Sequence, residues 1–236
     1  MPHAPALVGN LAAAVIGRPA QVLGVHEPAP GFIELELHAT APPGGWRPGQ
    51  EIQARVTPTH SRRYSVRTVG GPDCEHITVL ATTAAEGPGA AWLRLLRAGS
   101  RTTVLAARHR PLRENGTRRL YLGDGCALGT LDAYARNSAA PIVAVEVPAD
   151  AVAPLAEHRP EYHFLPAIGA PGDALQSWLE RAIIEGEFAT TGLDGALLLG
   201  HAQSIQRQRR ALTDSRTLTR QAVTTKPYWA TGKSGL

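Results

Sequence analysis

The hydrophobic pattern of the sequence changes near residue 116, and this change leaves few architectures open to the chain. In the first half, short segments such as Phe32–His38 alternate apolar and polar residues and are separated by clusters of proline and glycine. Such segments predict antiparallel strands and favour a small barrel. In the second half, strand-like and helix-like patterns alternate, which predicts a parallel sheet covered by helices. We therefore expect a β-barrel plus α/β architecture, with domains at residues 1–116 and 117–236.

Two glycine-containing turns mark a candidate crevice in the second half. The predicted strands there are Arg119–Leu122, Ile142–Val147, Tyr162–Leu165 and Gly195–Leu199, and the predicted helices are Ala127–Arg136, Val152–His158, Ala174–Ile184 and Ala202–Leu212. In parallel sheets of this kind, ligands bind at the carboxyl ends of the strands. Gly123–Gly125 and Gly200–His201 both follow strands, so we expect them at one such edge. After the last helix, the sequence predicts a C-terminal tail.

Composition excludes several classes of protein. A hydrophobic content of 43% and a charged content of 19% are typical of a folded chain. Cys74 and Cys126 are too few for a disulfide scaffold, and the nine histidines lack the spacing of zinc motifs. The apolar segment Leu7–Ile16 is interrupted by Gly9 and Asn10 and has no basic residues before it. It is therefore read as a docked or amphipathic segment, not a signal peptide or membrane span, and a cytoplasmic location is expected.

Charge is distributed unevenly along the chain. The net charge is +4, yet residues 150–195 hold eight acidic residues against two arginines, and residues 201–236 hold seven basic residues against Asp214 alone. A basic C-terminal region can be simply solvated or can attract an anionic ligand. The basic stretches lack interleaved aromatic residues, and no nucleic-acid-binding motif is present. Nucleic acid is therefore not expected as a partner.

The segment Ser61–Arg67 concentrates three arginines, a tyrosine and two serines on a predicted strand. Side chains alternate between the faces of a strand. One face would carry Arg62, Tyr64 and Val66, and the other Arg63, Ser65 and Arg67. A flat ring can rest on the tyrosine while a guanidinium group binds an anion. A surface strand that is merely basic is the alternative.

About twenty residues further on, Gly87, Pro88, Gly89 and Ala90 precede a helix-like pattern that includes Trp92. The N-terminus of a helix presents unpaired N–H groups and the positive end of the helix dipole, which together bind phosphate. Glycine also lets the backbone approach a pyrophosphate closely. An ordinary loop-to-helix junction is the alternative.

Taken together, the Arg-x-Tyr-Ser motif, the Gly-Pro-Gly turn and an α/β second half resemble the ferredoxin-reductase superfamily. The segment Lys226–Lys233 resembles the closing Tyr-Trp-x-x-Gly of siderophore-interacting proteins, which are FAD-dependent reductases that release iron from ferric siderophores. Gly123–Leu128 matches their Gly-Asp-Glu-Thr-Ala-Leu at four of six positions, and Gly200–Ala202 matches their Gly-Glu-Ala at two of three. The resemblance covers nearly the whole chain in a consistent order.

The resemblance implies roles for particular residues. Arg62 would contact the flavin diphosphate, Tyr64 would pack on the isoalloxazine ring or its ribityl chain, and Ser65 would bond near the reactive flavin nitrogen. The residues implied to bind FAD or a nicotinamide nucleotide are Arg62, Tyr64, Ser65, Val66, Arg67, Gly87, Pro88, Gly89, Ala90, Gly123, Asp124 and Trp229. Lys226 and Lys233 would dock an anionic ferric chelate, or would belong to a solvated cationic tail.

The implied reaction is electron transfer by an FAD-dependent oxidoreductase of the ferric-chelate reductase type. NADH or NADPH would pass a hydride to FAD, and the reduced flavin would give single electrons to ferric iron in a small chelate. No side chain is needed as a nucleophile, so no catalytic residue is assigned. Two alternatives stay open: a flavin reductase or electron-transfer flavoprotein without a siderophore role, and a non-redox enzyme or binding protein that keeps this fold.

The second half departs from the resemblance at several positions. Gly125 and His201 stand where the family has carboxylates, Cys126 where it has a hydroxyl, Gly129 where it has a proline, and Ala230 where a basic residue is common. Because these changes fall in the half that would bind the nicotinamide nucleotide, FAD is the firmer expectation. Cys126 could be a low-pKa thiol or a small packing residue.

Overall fold

The computed structural model describes residues 17–106 and 111–233, and the chain divides into two compact units between Pro111 and Leu112. The segment Leu7–Ile16 lies outside the described residues. Each unit has its own core of buried hydrophobic side chains. Within the described part of the chain, no helix is long and apolar enough to cross a membrane.

The described residues of the first unit form an antiparallel sheet of seven strands and one helix. Its elements are β1 (Arg18–Ala29), β2 (Phe32–Ala39), β3 (Glu51–Arg55), β4 (Ser61–Ser65), β5 (Thr68–Gly70), β6 (His76–Thr82), α1 (Pro88–Leu95) and β7 (Arg101–Ala106). The strand order is β4-β3-β7-β1-β2-β6-β5. The alternation that predicts these strands is also their burial pattern: in β6, Ile77, Val79 and Ala81 are buried and the residues between them are not.

The segment that carries the arginines joins the two edges of this sheet. β4 pairs with β3 at one edge and β5 pairs with β6 at the other, and only Val66 and Arg67 lie between β4 and β5. The N–H group of Val66 donates to the carbonyl of Gln50, and that of Arg67 donates to the carbonyl of Thr78, both at 2.8 Å. The sheet therefore curls on itself as a barrel, as predicted. β4 ends at Ser65, two residues before the predicted end, because the next two residues turn towards a different strand.

The second unit is a parallel sheet of five strands with helices between them. Its strands are β8 (Arg119–Asp124), β9 (Ile142–Val147), β10 (His163–Pro166), β11 (Gly195–His201) and β12 (Val223–Trp229). Its helices are α2 (Leu128–Ala135), α3 (Val152–His158), α4 (Asp173–Ile184), α5 (Glu187–Thr191) and α6 (Ala202–Asp214), with 3-10 turns at Ala149–Ala151 and Arg220–Ala222. The order β10-β9-β8-β11-β12 confirms the predicted parallel sheet.

The two central strands bring the predicted glycine turns together. β8 and β11 pair in parallel, and the strands on either side of them run outwards in chain order, so the switch in strand order lies between them. β8 ends at Asp124 and β11 ends at His201. Both candidate turns therefore lie at the carboxyl edge of neighbouring strands, as expected.

The C-terminal region differs from the prediction. The sequence predicts a tail after the last helix, whereas Val223–Trp229 forms β12, a parallel edge strand paired with β11. Pro227 lacks a backbone N–H group, and an edge strand tolerates this because one side of the strand has no partner. Few apolar residues lie in the segment, so hydrophobic periodicity does not reveal the strand.

Candidate functional site

Helix α1 begins directly beside strand β4. A Cβ atom added to Gly89 would lie 3.1 Å from Cγ of Arg62 and 3.3 Å from the hydroxyl oxygen of Tyr64. The helix backbone therefore passes in contact with both side chains, and a larger residue at position 89 would have to push one of them aside. The structure thus brings together two sequence motifs that were proposed separately as cofactor contacts.

The N-terminus of α1 has no acidic partner, although Gly89 and Ala90 in its first turn are buried. Gly87 precedes the helix with φ 148° and ψ 174°, a conformation that residues with a side chain rarely adopt. No side chain caps this end, and the first turn holds no acidic residue. Pro88 has no N–H group, and the N–H of Ala91 already donates to the carbonyl of Gly87 at 3.0 Å. The N–H groups of Gly89 and Ala90, which lack intrahelical acceptors, are the donors that this end offers.

Tyr64 is held as a rigid aromatic surface beside this helix end. Its ring stacks on that of Trp92, with 5.9 Å between centroids and 23° between planes, and it packs against the barrel core. Burial raises the pKa of the Tyr64 phenol, and the positive charge of Arg62 opposes that shift only in part. The phenol is neutral at physiological pH, as tyrosine ordinarily is.

The other predicted residues of the segment divide between surface and core. Arg62, Tyr64 and Ser65 are half-buried on β4. Val66 is fully buried in the core, and Arg67 is buried and forms an ion pair with Glu34 of β2. The side chains of Val66 and Arg67 therefore stabilise the barrel, whereas those of Arg62, Tyr64 and Ser65 remain partly accessible.

Asp124 is the centre of a second cluster, at the carboxyl edge of the second unit. Its carboxylate accepts hydrogen bonds from Nε1 of Trp229 at 2.7 Å, from the N–H of His201 at 2.9 Å and from the N–H of Cys126 at 3.0 Å. Burial raises the pKa of Asp124, and these hydrogen bonds oppose that shift. Two predicted residues far apart in sequence, Asp124 and Trp229, are thus in direct contact.

His201 is part of the same cluster and is fully bonded. Its Nδ1 lies 2.9 Å from Oγ of Ser204, and its Nε2 lies 3.2 Å from Oγ1 of Thr231 and accepts the N–H of Thr231 at 3.4 Å. Because Nε2 accepts, we assign the ring proton to Nδ1. The His201 ring also lies 4.5 Å from that of Trp229. The histidine that replaces a carboxylate of the resembled family therefore holds the end of β12 in place.

Glu146 has a role that the sequence reasoning missed. From β9, its carboxylate accepts the N–H groups of Gly172 at 2.7 Å, Ala174 at 3.0 Å and Leu175 at 3.3 Å. It thereby caps helix α4, whose N-terminus would otherwise be a candidate anion site. The sequence feature that could have revealed this role is the one carboxylate in the otherwise apolar predicted strand Ile142–Val147.

The contacts of Lys226, Lys233 and Gly123 can be described without a bound ligand. Nζ of Lys226 lies 5.7 Å from the centroid of the Tyr228 ring, and Lys233 is exposed. A Cβ atom on Gly123 would lie 2.7 Å from the carbonyl oxygen of Leu199, so glycine is required there for packing. The described residues contain no group of histidine, cysteine and acidic side chains that could hold a metal ion.

Cys126 is a free cysteine with an exposed surface. The surrounding atoms nevertheless bury much of its thiol, and this burial, together with the negative charge of Asp124, raises its pKa to about 12. The direction of this shift favours the alternative of a small packing residue over that of a low-pKa thiol.

Solved structures share this arrangement of a barrel followed by a parallel-sheet unit. The siderophore-interacting protein from Acinetobacter baumannii is 17% identical over 92% of this chain and 92% of its own, with a TM-score of 0.70. Phthalate dioxygenase reductase is 15% identical over 92% of this chain and 70% of its own, with a TM-score of 0.68. An intact type IV self-sufficient cytochrome P450 monooxygenase is 16% identical over 93% of this chain, which spans only 29% of that longer protein, with a TM-score of 0.64.

These similarities establish the ferredoxin-reductase-like fold that the sequence predicts. Among the proteins that share the fold at nearly full length are siderophore-interacting proteins, the group that the sequence motifs resemble. No protein-family model matches the chain, and no curated protein matches it.

Proposed function

We propose that the chain is a cytoplasmic FAD-dependent oxidoreductase that reduces ferric iron in siderophores or other chelates with electrons from NADH or NADPH. The observation that carries this proposal is the contact between the uncapped N-terminus of α1 and the side chains of Arg62 and Tyr64. A cationic group, two backbone donors and a flat aromatic surface lie together there. These are the groups that an aromatic ring system carrying a diphosphate requires.

The residues of the first unit fit FAD in chemical type and in placement. The N–H groups of Gly89 and Ala90 and the guanidinium group of Arg62 would bind the diphosphate through charge-assisted hydrogen bonds. The missing side chain at position 89 lets the helix backbone come close. Tyr64, fixed by Trp92, would support the flavin or its ribityl chain, and the hydroxyl of Ser65 would bond to a flavin ring nitrogen. Bound FAD would supply the conversion of two-electron hydride chemistry into one-electron reduction.

The names of the structural neighbours support the same type of chemistry. One is described as a siderophore-interacting protein, and another as a reductase that transfers electrons from pyridine nucleotides to a [2Fe-2S] centre. We carry the first description to this chain because the barrel motifs and the Tyr-Trp segment resemble that group. The second description motivates the choice of a pyridine nucleotide as electron donor.

The second unit offers less for a nicotinamide nucleotide. The carboxylates of Asp124 and Glu146 already accept backbone N–H groups at its carboxyl edge. A nucleotide phosphate would have to displace them or bind elsewhere in the unit. NADH or NADPH therefore enters the proposal as a co-substrate to be tested in solution, without assigned contacts.

Lys226 and Lys233 are the proposed docking charges for the substrate. They are the only lysines in the chain, and both belong to the segment at and after β12. Many ferric chelates are anionic, and positive charge near the point of docking would raise their local concentration.

Turnover by the FAD-loaded protein tests the proposal. NADH and NADPH would each be supplied with a ferric hydroxamate, a ferric catecholate, free flavin or an artificial dye as acceptor. The proposal predicts the highest kcat/KM with a ferric chelate. Equal turnover with every acceptor would indicate a general flavin reductase, and FAD binding without turnover would point to a non-redox protein or to a different electron donor.

A further inference from the structure

A small cavity lies inside the second unit, behind the carboxyl edge of its sheet. It has room for about one water molecule. Its lining includes polar groups from three parts of the fold: Asp124 at the end of β8, Gly172 before α4, and Ser204 and Gln208 on α6. All but the aspartate are buried. Apolar side chains, those of Leu175, Leu199 and Ile205, complete the lining, so a bound molecule would meet both polar and apolar atoms.

Gln208 is the unexplained group in this lining. Its side chain is 1% exposed, and neither its amide oxygen nor its amide nitrogen has a hydrogen-bond partner. A buried amide with nothing to bond is costly, and native proteins rarely retain one without an occupant beside it.

The hydrogen-bonding needs of Gln208 select the occupant. Its nitrogen needs an acceptor and its oxygen needs a donor. A metal cation offers no acceptor, and an anion offers no donor. The cavity has no space for a ligand of several heavy atoms. We therefore propose that the cavity binds one water molecule, hydrogen-bonded to the Gln208 amide and to the polar groups of Asp124 or Ser204.

This water would connect helix α6 to the cluster at the carboxyl edge. Ser204 already bonds to Nδ1 of His201 and donates to the carbonyl of Pro171. Asp124 already bonds to Trp229. With the water in place, a continuous set of hydrogen bonds runs from Gln208 to the residues that hold the end of β12. All of these groups lie in the second unit, so the water site is independent of FAD binding and of redox activity.

The proposal is tested by whether removing the Gln208 amide lowers or raises the melting temperature. Gln208→Met keeps the side-chain volume and removes the amide. The matched control is Gln206→Met on the same helix, where the glutamine is exposed. If water satisfies the amide, Gln208→Met loses those hydrogen bonds and melts at a lower temperature than Gln206→Met. If the cavity is dry, the variant removes an unsatisfied group and melts at an equal or higher temperature, which would overturn the proposal.

A direct structural measurement decides the matter independently of the variants. A high-resolution crystal structure of the unmodified protein should show one ordered water within hydrogen-bond distance of the Gln208 amide. The same cavity in Gln208→Met should have lost that water or should show it displaced. An empty cavity, a bound cation, or a Gln208 amide bonded directly to another protein group would each contradict the proposal.

Discussion

Backbone N–H groups meet different partners in the two units of this protein. In the first unit, helix α1 begins at an uncapped end, with glycine at position 89 and the side chain of Arg62 beside it. In the second unit, two of the chain's own carboxylates accept backbone N–H groups, one at a helix N-terminus and one just before strand β8. Glu146 caps α4, and Asp194 accepts the N–H groups of Thr117 and Arg118.

A capped helix end and an uncapped one contribute differently: the first stabilises the fold, and the second can bind a ligand. A carboxylate on a helix N-terminus stabilises the fold and leaves little for an external anion to gain. An open end beside a guanidinium group contributes less to the fold and keeps its donors for a ligand. We therefore expect substitutions at the uncapped end of α1 to change ligand affinity, and substitutions of Glu146 and Asp194 to change the free energy of unfolding.

The largest effect is expected for Arg62→Ala. A hydrogen bond to a charged group contributes about 1.5–3 kcal/mol, so the Kd for FAD should rise about 10- to 100-fold. Fluorescence titration of FAD measures the change. Arg63→Ala is the matched control, because Arg63 is the next residue of β4 and is exposed. Equal losses in the two variants would show that general positive charge, not this contact, binds the cofactor.

The opposite behaviour is expected for Glu146→Gln. The amide nitrogen of glutamine would face backbone N–H groups, so the free energy of unfolding should fall by about 1–3 kcal/mol. Urea denaturation measures this, with Glu185→Gln, at an exposed glutamate, as the control. The affinity for FAD should stay the same. A weakened affinity with unchanged stability would reverse the comparison between the units.

The double variant Lys226→Ala with Lys233→Ala asks whether the second unit recognises an anion through side chains. Two partly solvated charges contribute about 0.2–1 kcal/mol each, so the KM for an anionic ferric chelate should rise about 2- to 30-fold. The kcat should change little. Unchanged kinetics would remove both lysines from the substrate site.

The smallest effect is expected for Asp194→Asn, and it should depend on pH. Hydrogen bonds from the N–H groups of Thr117 and then Arg118 hold the pKa of Asp194 below its ordinary value. The folded pKa is thus below the unfolded one, so the stabilisation is present above the unfolded pKa and is lost as pH falls through the folded pKa. At pH 7 the variant should lose less than about 1 kcal/mol, because the group is solvent-exposed.

Urea denaturation at several pH values measures this dependence. The difference between the unmodified protein and Asp194→Asn should shrink towards acidic pH. Asp214→Asn, at another exposed aspartate, is the control. A difference that stays constant with pH would mean that the carboxylate charge is not the source of the effect.

Regular periodicity made most of the fold predictable from sequence. The helix Val152–His158 has the bounds that the sequence predicts. The strand β12 was not predicted, because Lys226 and Pro227 interrupt any apolar pattern and the strand is stabilised by pairing with β11. Its existence depends on tertiary contacts that no local pattern records.

The candidate sites likewise depend on tertiary contacts that the sequence pattern does not show. The sequence indicated Arg62 and Gly89 as separate contacts, whereas their proximity follows from the packing of α1 against β4. The hydrogen bond between Asp124 and Trp229 requires the ends of β8 and β12 to meet at one edge. Gln208 looks like an ordinary helix residue until the burial of its face of α6 is known.

An equilibrium titration of the purified, unmodified protein with FAD tests directly whether this chain is a flavoprotein. We expect saturable binding of one FAD per chain, with a flavin absorbance spectrum that stays with the protein on gel filtration. Arg62→Ala should shift the binding curve, and Arg63→Ala should not. A colourless protein that takes up no added FAD would contradict the proposed function.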